Sequence, residues 1–428
     1  MTITEPRTPR LPGARRRTGG LFWHRDFRLL WIGQSASKLG SSVTSVALPL
    51  VAVATLGATT FQVALLSAAA WLPWLLVGLP VGALVDRLPR RPIMLASDLV
   101  AGILFLSVPV AAWLDRLTIG YLLTVAIGAG TASVFFQTAY QVYLPSLLRR
   151  DEVAEGNAKM QATETIAQVG GPGLAGLLSQ LVGAVNALLL DVASFLASAL
   201  CLLSIRAREP RPTRTHQAST LRQEIGAGIR FVARDRYLRV LTVFGAVSNL
   251  GLLGYQAILV VFLVREVGVS PGTVGVLAAV GGVGGVLGAA PPTALARRFG
   301  SARSLLIAEL GGAPFGLLIP LSTPGAGLAY AVAGTFVICL GVGVGNVLTG
   351  SFRQTYPPRE LLGRVTVSMR MLNYGTIPLG ALLGGALGTA IGVRPALWII
   401  MIGLALSGLI LLIGPLRRHR DLPAAPQD

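Results

Sequence analysis

Lys38, Glu164, Asp191 and Arg370 are ionisable residues that lie inside long apolar stretches of the sequence. Charge in an apolar environment is costly, and residues of this kind are usually functional. A half-buried carboxylate beside a cation changes its protonation when the partner moves, and proton binding is then coupled to a conformational change. We predict that Glu164 and Asp191 carry this chemistry. Arg370 is included because it lies in the eleventh apolar stretch at the place equivalent to that of Glu164 in the fifth. Structural salt bridges are the alternative.

Polar side chains form a stripe along the first apolar stretch. Gln34, Lys38, Ser41 and Ser45 recur at spacings of three or four residues, which places them on one face of a helix, with Lys38 near its middle. The stripe predicts a water-accessible cavity. Other polar residues predicted to line that cavity are Gln137, Tyr140, Asn249, Tyr255 and Gln256.

The remaining reactive residue types are too scattered for a metal or cofactor site. His24, His216 and His419 lie outside the apolar stretches, and Cys201 and Cys339 form no ligand set with them. No phosphate-binding loop of the ATPase type occurs. We therefore expect no metal, no cofactor and no enzymatic activity. Any transport by this chain would be driven by an ion gradient.

These residues are positioned by a chain that is too apolar for a soluble domain of its length. Of its 428 residues, 53% are hydrophobic and 13% are charged, and the mean hydropathy is +0.68. A helix of about 20 apolar residues spans a bilayer. We predict an all-α membrane protein with twelve transmembrane helices, at residues 28–56, 62–85, 93–114, 118–144, 157–183, 186–205, 238–264, 273–296, 303–321, 328–352, 364–391 and 395–415.

The basic residues are distributed asymmetrically between the connections of these helices. The net charge is +18, and 32 of the 36 Lys and Arg residues, Arg370 among them, lie in the termini, the connections on one side and the helix ends beside those connections. Three lie on the other side: Arg116, Arg265 and Arg394. Since positive residues are enriched on the cytoplasmic side, both termini are predicted to be cytoplasmic. The asymmetry makes nucleic-acid binding the weaker explanation of the charge, and no nucleic-acid partner is expected.

The chain divides into two similar halves. At an offset of 211 residues, Leu39-Gly40 aligns with Leu250-Gly251. We predict two pseudo-symmetric six-helix bundles, with substrate held between them, and a monomer. The predicted parts are a cytoplasmic tail at 1–27, a bundle at 28–205, a cytoplasmic linker with a surface helix at 206–237, a second bundle at 238–416 and a cytoplasmic tail at 417–428.

A charged hairpin separates the second and third predicted helices. It reads Gly82-x-x-x-Asp86-Arg87-x-x-Arg90-Arg91, and its acid can pair with the arginines as a latch that breaks when the two bundles move apart. The hairpin resembles the loop signature of the major facilitator superfamily of secondary transporters. The resemblance implies that these residues hold one conformation of the transport cycle and that Gly82 allows two helices to approach closely. A plain positive loop is the alternative.

The fifth predicted helix contains a run of small residues around a proline, with Gly171, Pro172 and Gly176. Proline removes a backbone hydrogen bond and bends a helix, and glycine admits a close neighbour. The run resembles the signature of the antiporters of this superfamily, and the resemblance implies a hinge and export. We expect it to pack on the glycine-rich stretch Gly281–Gly288; a packing seam without bearing on direction is the alternative.

Within the superfamily, the chain is most similar to the bacterial branch of macrolide-efflux proteins and enterobactin exporters. The similarity lies in Trp31-Ile32-Gly33-Gln34, Leu144-Pro145, Asn157-Ala158 and Asp191 with Ser194-Phe195. It implies proton-coupled export of an amphipathic small molecule, such as a drug, antibiotic or siderophore, across a bacterial cytoplasmic membrane. The alternatives are an importer or facilitator of a small metabolite and, from another class, a non-transporting membrane receptor or scaffold.

Overall fold

The computed structural model describes residues 20–85, 87–149, 151–207, 221–290, 292–358 and 362–423, and in these ranges the chain forms helices joined by short connections, with no strand. The helices of the first half are α1 (Arg25–Leu50), α2 (Thr60–Leu76), α3 (Gly78–Val85), α4 (Arg90–Trp113), α5 (Ile119–Leu147), α6 (Val153–Val182) and α7 (Ala184–Ser204). A separate helix, α8 (Leu221–Arg234), precedes the second half. The helices of the second half are α9 (Arg236–Val261), α10 (Pro271–Ala289), α11 (Pro292–Phe299), α12 (Ser301–Gly312), α13 (Leu328–Thr355), α14 (Leu362–Ile391), α15 (Val393–Ser407) and α16 (Leu409–Ile413).

Most of these helices have the dimensions of membrane spans. Among the described residues, nine helical segments are long and apolar enough to cross a membrane, and Thr60–Leu76 and Gly375–Ile391 are shorter apolar helices. The predicted class, an all-helical membrane protein, is confirmed, whereas the number of twelve spans stays a prediction. The ninth predicted span changes character along its length, because α12 continues as a 3-10 helix at Ala313–Leu321 that contains Pro314 and Pro320.

The two halves repeat each other in the way their helices end. The α1 helix continues into a π-helical turn at Val51–Thr55, and α9 continues into one at Phe262–Glu266, which is 211 residues later. Gly183 turns α6 into α7 with a φ of 85°, and Gly392 turns α14 into α15 with a φ of 90°. Glycine adopts this backbone conformation without steric cost. The repeat in the sequence is therefore matched by a repeat in local structure.

The connections define two ends of the helical assembly. We call the end with the arginine-rich connections, before α4, α6, α9 and α12, the basic end, and the other end the opposite end. Side-chain caps start several helices: at the opposite end, the Thr59 and Ser270 hydroxyls accept from the backbone N–H of Gln62 and Thr273. At the basic end, the Asp235 carboxylate accepts from two N–H groups of α9. Caps satisfy donors that a helix start leaves free, so each helix begins at a defined residue.

The apolar core joins the two halves at the opposite end and separates them at the basic end. One buried cluster contains residues of both halves around the π-helical turns, including Val51, Ala52, Phe262 and Leu263. At the basic end, by contrast, the first half has its own cluster around Phe27 and Tyr143. The second half has another around Tyr237 and Tyr356. The halves are thus held together where the π-helical turns meet.

Direct contacts between the halves strengthen this closed end. The Arg265 side chain donates a hydrogen bond to the backbone oxygen of Ala58 at 2.6 Å, which links the end of α9 to the connection before α2. In addition, α14 lies on α2, with Gly388 against Thr60 and Gly385 against Ala64. Because glycine has no side chain, the two helices approach closely along this seam.

Candidate substrate cavity

A cavity of about 710 Å³ lies between the two halves. The stripe predicted on the first helix lines it, with Gln34, Lys38, Ser41 and Ser45 along α1. Gln137 of α5 and Gln256 of α9 face the same space. Its deepest residues, Leu48, Pro49 and Val260, adjoin the shared cluster at the opposite end. The volume is within the range of small-molecule sites.

The structure brings Lys38 and Glu164 together in the cavity wall. The Lys38 ammonium donates to a Glu164 carboxylate oxygen at 3.1 Å, although the two residues are 126 positions apart in the chain. Their side chains are 28% and 35% exposed, so both remain in reach of water in the cavity. A cation and a carboxylate that are both in reach of water can separate when α1 and α6 move.

Asp191 is held differently, as a buried acceptor between α1 and α7. Its two carboxylate oxygens accept hydrogen bonds from the hydroxyls of Thr44, at 2.5 Å, and Ser194, at 3.0 Å. Both Asp191 and Ser194 lie against Gly40, which leaves room for them because it has no side chain. The carboxylate also borders the cavity. Asp191 therefore braces α1 against α7 while one side of it faces the cavity.

Three further predicted residues lie outside this cavity wall. Tyr140 stacks on Phe136, with ring centroids 6.4 Å apart, and Tyr255 is buried in the shared cluster at the opposite end. Asn249 lines a smaller pocket within the second half. Each of these side chains belongs to a helix that is packed against other helices on most sides. The spacing of polar residues in the sequence does not determine which of those sides faces the cavity. Arg370 belongs to α14, and its side chain is outside the described residues.

Several cavity residues were not among the sequence candidates. Part of the cavity wall is aromatic and consists of Trp71, Trp74, Phe105 and Phe195. Asp98 also lines the cavity, although the residue is only 2% exposed. One oxygen of Asp98, Oδ2, has no hydrogen-bond partner. A signal existed for Asp98, since it is an acid five residues into the third predicted span. No sequence signal marked the two tryptophans as cavity residues, because aromatic residues are common in membrane helices.

The charged hairpin is organised within the first half. Arg91, at the start of α4, donates from Nε to the backbone oxygen of Leu202 and from Nη2 to that of Leu203, each at 2.8 Å. These carbonyls belong to the last turn of α7, whose partial negative charge favours a cation. Arg87 is exposed and Arg90 is partly buried. Asp86, the acid of the predicted latch, lies outside the described residues.

Gly82 differs from the expectation that it admits a close neighbour. A side-chain carbon built at this position would meet no atom of the residues that the structure describes within 4 Å. Among the described residues, none of the second half comes within that distance of a side-chain carbon at Gly82. The close approach implied by the family resemblance is therefore not made to any described residue in this conformation.

The predicted hinge lies at a backbone contact between α6 and α10. Gly176 lies so close to Gly275 that an added side-chain carbon would be 2.8 Å from the Gly275 Cα, and one on Gly275 would be 2.5 Å from the Pro172 oxygen. Gly171 packs on Ser42 of α1. The expected contact with Gly281–Gly288 is made by Gly282, which meets Gln168 and Val169, whereas Gly281, Gly284 and Gly288 pack on α13.

Two known efflux proteins resemble this chain, one over most of its length and one over less than half. It is 26% identical over 401 residues to the multidrug efflux pump Tap of Mycolicibacterium fortuitum, which covers 90% of this chain and 95% of that protein. It is 23% identical over 185 residues to macrolide efflux protein A of Streptococcus pyogenes, covering 43% and 45% of the two chains.

Solved structures share the fold. The nucleoside transporter NupG superposes with a TM-score of 0.76 at 11% identity, covering 92% of this chain and 99% of that one. A bacterial homologue of the lysosomal transporter Spinster, in an inward-facing conformation, superposes with a TM-score of 0.71 at 15% identity, covering 94% and 97%. The profile of the transmembrane secretion effector family matches residues 21–428. The chain therefore belongs to this family of major facilitator transporters.

Proposed function

We propose that this protein exports amphipathic drug-like molecules from the cytoplasm by proton-coupled alternating access. The observation that carries the proposal is the cavity between the halves, which is closed at the opposite end and has aromatic walls around a Lys38–Glu164 pair. Aromatic side chains accept varied apolar surfaces, and a few charged groups orient a ligand. The multidrug and macrolide efflux proteins among the relatives support this substrate class.

The orientation follows from the positive-inside rule. The arginine-rich connections are expected to face the cytoplasm, together with both termini. The closed opposite end then faces outward, and the described conformation is the one that receives substrate from the cytoplasm. Export requires the opposite end to open while the basic end closes around the hairpin with Asp86.

Proton coupling is assigned to the carboxylates that border the cavity. Glu164 is ion-paired with Lys38 in the described conformation. When α1 and α6 separate at the opposite end, the pair breaks, and Glu164 is able to take a proton from outside. Asp191, which joins α1 to α7, is the second carboxylate proposed to respond to this movement.

Transport into everted membrane vesicles tests the proposal. Everted vesicles that contain the protein and are acidic inside, so that the proton-motive force is directed outward, should accumulate ethidium or a labelled macrolide, and a protonophore should abolish the accumulation. The Lys38→Met variant should fail in the same assay. Accumulation by intact cells only would instead favour an importer, and absence of transport in both orientations would favour a receptor or scaffold.

A further inference from the structure

Arginines from three segments of the second half meet at the basic end. The Arg420 side chain donates from Nη2 to the backbone oxygens of Arg297, at 3.2 Å, and Arg298, at 3.5 Å, in the last turn of α11. The backbone oxygen of Arg420 accepts from the N–H groups of Ala302, at 3.1 Å, and Arg303, at 3.4 Å, at the start of α12. We call the six arginines of these segments the arginine cluster: Arg297, Arg298, Arg303, Arg417, Arg418 and Arg420.

An excess of positive charge remains uncompensated in the arginine cluster. All six residues are exposed, and within the described part of the chain none of the six forms an ion pair. Asp421 follows the cluster in the chain, and its carboxylate accepts a hydrogen bond from the Ser301 backbone N–H at 2.9 Å. The charge of Asp421 offsets only part of the excess. Since guanidinium groups repel one another, a bound anion would lower the free energy of the assembled cluster.

The hairpin of the first half is built differently. At the offset of 211 residues, Arg297 takes the place that Asp86 has in the first half. Arg91 of the first hairpin is held by backbone oxygens at the end of α7, one of them that of Leu202 at 2.8 Å. The first hairpin therefore includes an acid of its own, whereas the second half has a base at the same place. This difference favours an anion from another molecule over a second internal latch.

Exposed apolar side chains adjoin the arginine cluster on the side of the membrane spans. Ile307 lies four residues beyond Arg303 on α12, which is about one helical turn, and it is 54% exposed. Ile413 ends the helix that leads into the tail and is 85% exposed. The two helices are neighbours, because a side-chain carbon at Gly408 would be 3.0 Å from the Leu310 side chain. The cluster therefore lies directly above apolar surface of the kind that faces lipid chains.

We propose that the arginine cluster binds the headgroup of an anionic phospholipid, whose acyl chains lie along Ile307 and Ile413. Guanidinium groups match a phosphate with paired hydrogen bonds, and basic sites beside membrane spans attract anionic headgroups. A free phosphate or a nucleic acid supplies the anion but leaves the apolar side chains uncovered. The inference goes beyond the proposed export and does not depend on it.

Native mass spectrometry of the purified full-length protein in detergent measures the binding of dioleoyl-phosphatidylglycerol, with dioleoyl-phosphatidylcholine as the neutral comparison. The wild type should bind phosphatidylglycerol in preference. The double variant Arg303→Gln/Arg417→Gln should bind it about 25-fold more weakly, since each arginine near a membrane surface contributes a factor of about five. An unchanged affinity of this variant would overturn the proposal.

The double variant Arg116→Gln/Arg206→Gln is the matched control. It removes the same charge from two exposed positions outside the arginine cluster, one at the opposite end and one at the basic end of the first half. Its affinity for phosphatidylglycerol should equal that of the wild type. An equal loss in the two double variants would mean that binding responds to net charge alone, which contradicts a defined site.

Competition separates a lipid from other anions. Inorganic phosphate and a short single-stranded oligonucleotide, at an ionic strength matched with sodium chloride, should displace phosphatidylglycerol no better than chloride does. Displacement by phosphate would identify a free-anion site, and displacement by the oligonucleotide a nucleic-acid surface; either result refutes a lipid site. Ile307→Ser/Ile413→Ser should weaken phosphatidylglycerol binding by about fivefold or more through lost apolar contact, and an unchanged affinity would contradict the placement of the chains.

Thermal unfolding provides a second readout, because a ligand that binds only the folded protein stabilises it. Phosphatidylglycerol should raise the unfolding temperature of the wild type and of Arg116→Gln/Arg206→Gln, but not that of Arg303→Gln/Arg417→Gln. An equal rise in all three proteins would count against the arginine cluster as the site. Neither readout involves transport, so a failure of the export proposal would leave both of them unaffected.

Discussion

At the scale of single residues, the Lys38–Glu164 pair has the properties of a group that changes partners. A fully buried ion pair would be rigid and expensive to break, whereas a fully exposed one would contribute almost nothing. With side-chain exposures of 28% and 35%, this pair is intermediate between the two. The free energy needed to separate the two side chains is therefore modest, and the free energies that drive a transport cycle are large enough to supply it.

Lys38→Met should abolish most export, because Glu164 then loses the cation with which it pairs. Glu164→Gln should also abolish most export, because Lys38 then loses its carboxylate partner. The free-energy loss in export of the double variant should be smaller than the sum of the losses of the two single variants by about 0.5–1 kcal/mol. This is the coupling expected for a partly exposed pair. Initial export rates in vesicles measure this cycle. Strict additivity would show that the two residues act independently.

Thr44→Val tests the bracing of Asp191. The substitution keeps the shape of the side chain and removes the hydroxyl that donates to the Asp191 carboxylate. Loss of a donor to a buried charged acceptor costs about 1–3 kcal/mol, so thermal unfolding in detergent should move to lower temperature. The nearby exposed Ser45→Ala, whose hydroxyl bonds only within its own helix at Ser42, is the control and should unfold as the wild type does.

The sequence singled out these residues one at a time but did not indicate their partners. The apolar context of Lys38, Glu164 and Asp191 marked each as unusual, since charge inside a bilayer is rare. The pairing of Lys38 with Glu164 depends on how α1 packs on α6 across 126 residues. Local spacing contains no information on that packing.

At the scale of elements, the contact between α6 and α10 is made by backbone against backbone. Gly176 and Gly275 leave no room for a side chain, whereas Gly170, less than two turns away on the same helix, faces open space. The same helix therefore offers a sensitive position and an insensitive one. This difference allows packing to be separated from helix propensity.

Gly176→Ala should destabilise the described conformation, and Gly170→Ala should not. An alanine at position 176 must push α10 away, which weakens the closed opposite end. At position 170, alanine should stabilise the helix by about 0.5–1 kcal/mol, because it restricts the unfolded chain. Thermal unfolding in detergent should thus shift in opposite directions for the two variants. A similar shift in both would mean that the α6–α10 contact is not tight.

Arg91→Ala should weaken the junction between α4 and α7 by about 1–3 kcal/mol, since two charge-assisted hydrogen bonds to the last turn of α7 are lost. Arg87→Ala, an equal loss of charge at an exposed position of the same hairpin, is the matched control. Thermal unfolding of the solubilised variants measures the difference. Equal stability of the two variants would refute a capping role of Arg91.

The helices themselves were largely predictable, and their interruptions were not. Continuous apolar runs bounded by glycine, proline and arginine indicate membrane helices with little ambiguity. The 3-10 segment at Ala313–Leu321 and the π-helical turns at Val51–Thr55 and Phe262–Glu266 lie within apolar runs, and the hydrophobic pattern of those runs does not mark them. The glycine stripe of α10 likewise faces two neighbours, and periodicity does not divide it between them.

At the scale of the whole molecule, the arrangement of the apolar clusters determines which end is open. The shared cluster closes the opposite end, while the two clusters at the basic end belong to separate halves. Arg265 adds a hydrogen bond across the closed end, to the Ala58 oxygen. Opening this end therefore requires the loss of apolar contact and of at least one polar link.

Accessibility of a cysteine in the cavity measures this asymmetry. After replacement of Cys201 and Cys339, Ser45→Cys should react with an impermeant maleimide from the side of the basic end. Adding Arg265→Ala should raise labelling from the opposite side by about fivefold, the shift expected for the loss of one hydrogen bond of about 1 kcal/mol. Arg116→Ala, at an exposed position of the same end, should leave labelling unchanged. Equal labelling from both sides in the parent protein would contradict a closed opposite end.

The segment 415–422 has a consequence for biosynthesis. Its backbone and side chains complete the turn into α12: the Arg420 oxygen accepts from Ala302, the Asp421 carboxylate from Ser301, and the Leu422 N–H donates to the Ser301 hydroxyl. Gly300 lies against Arg420 with no space for a side chain. Because these partners are about 120 positions apart, the ribosome must translate residue 422 before this turn acquires its final bonds. Nascent chains arrested earlier should be open to proteases there.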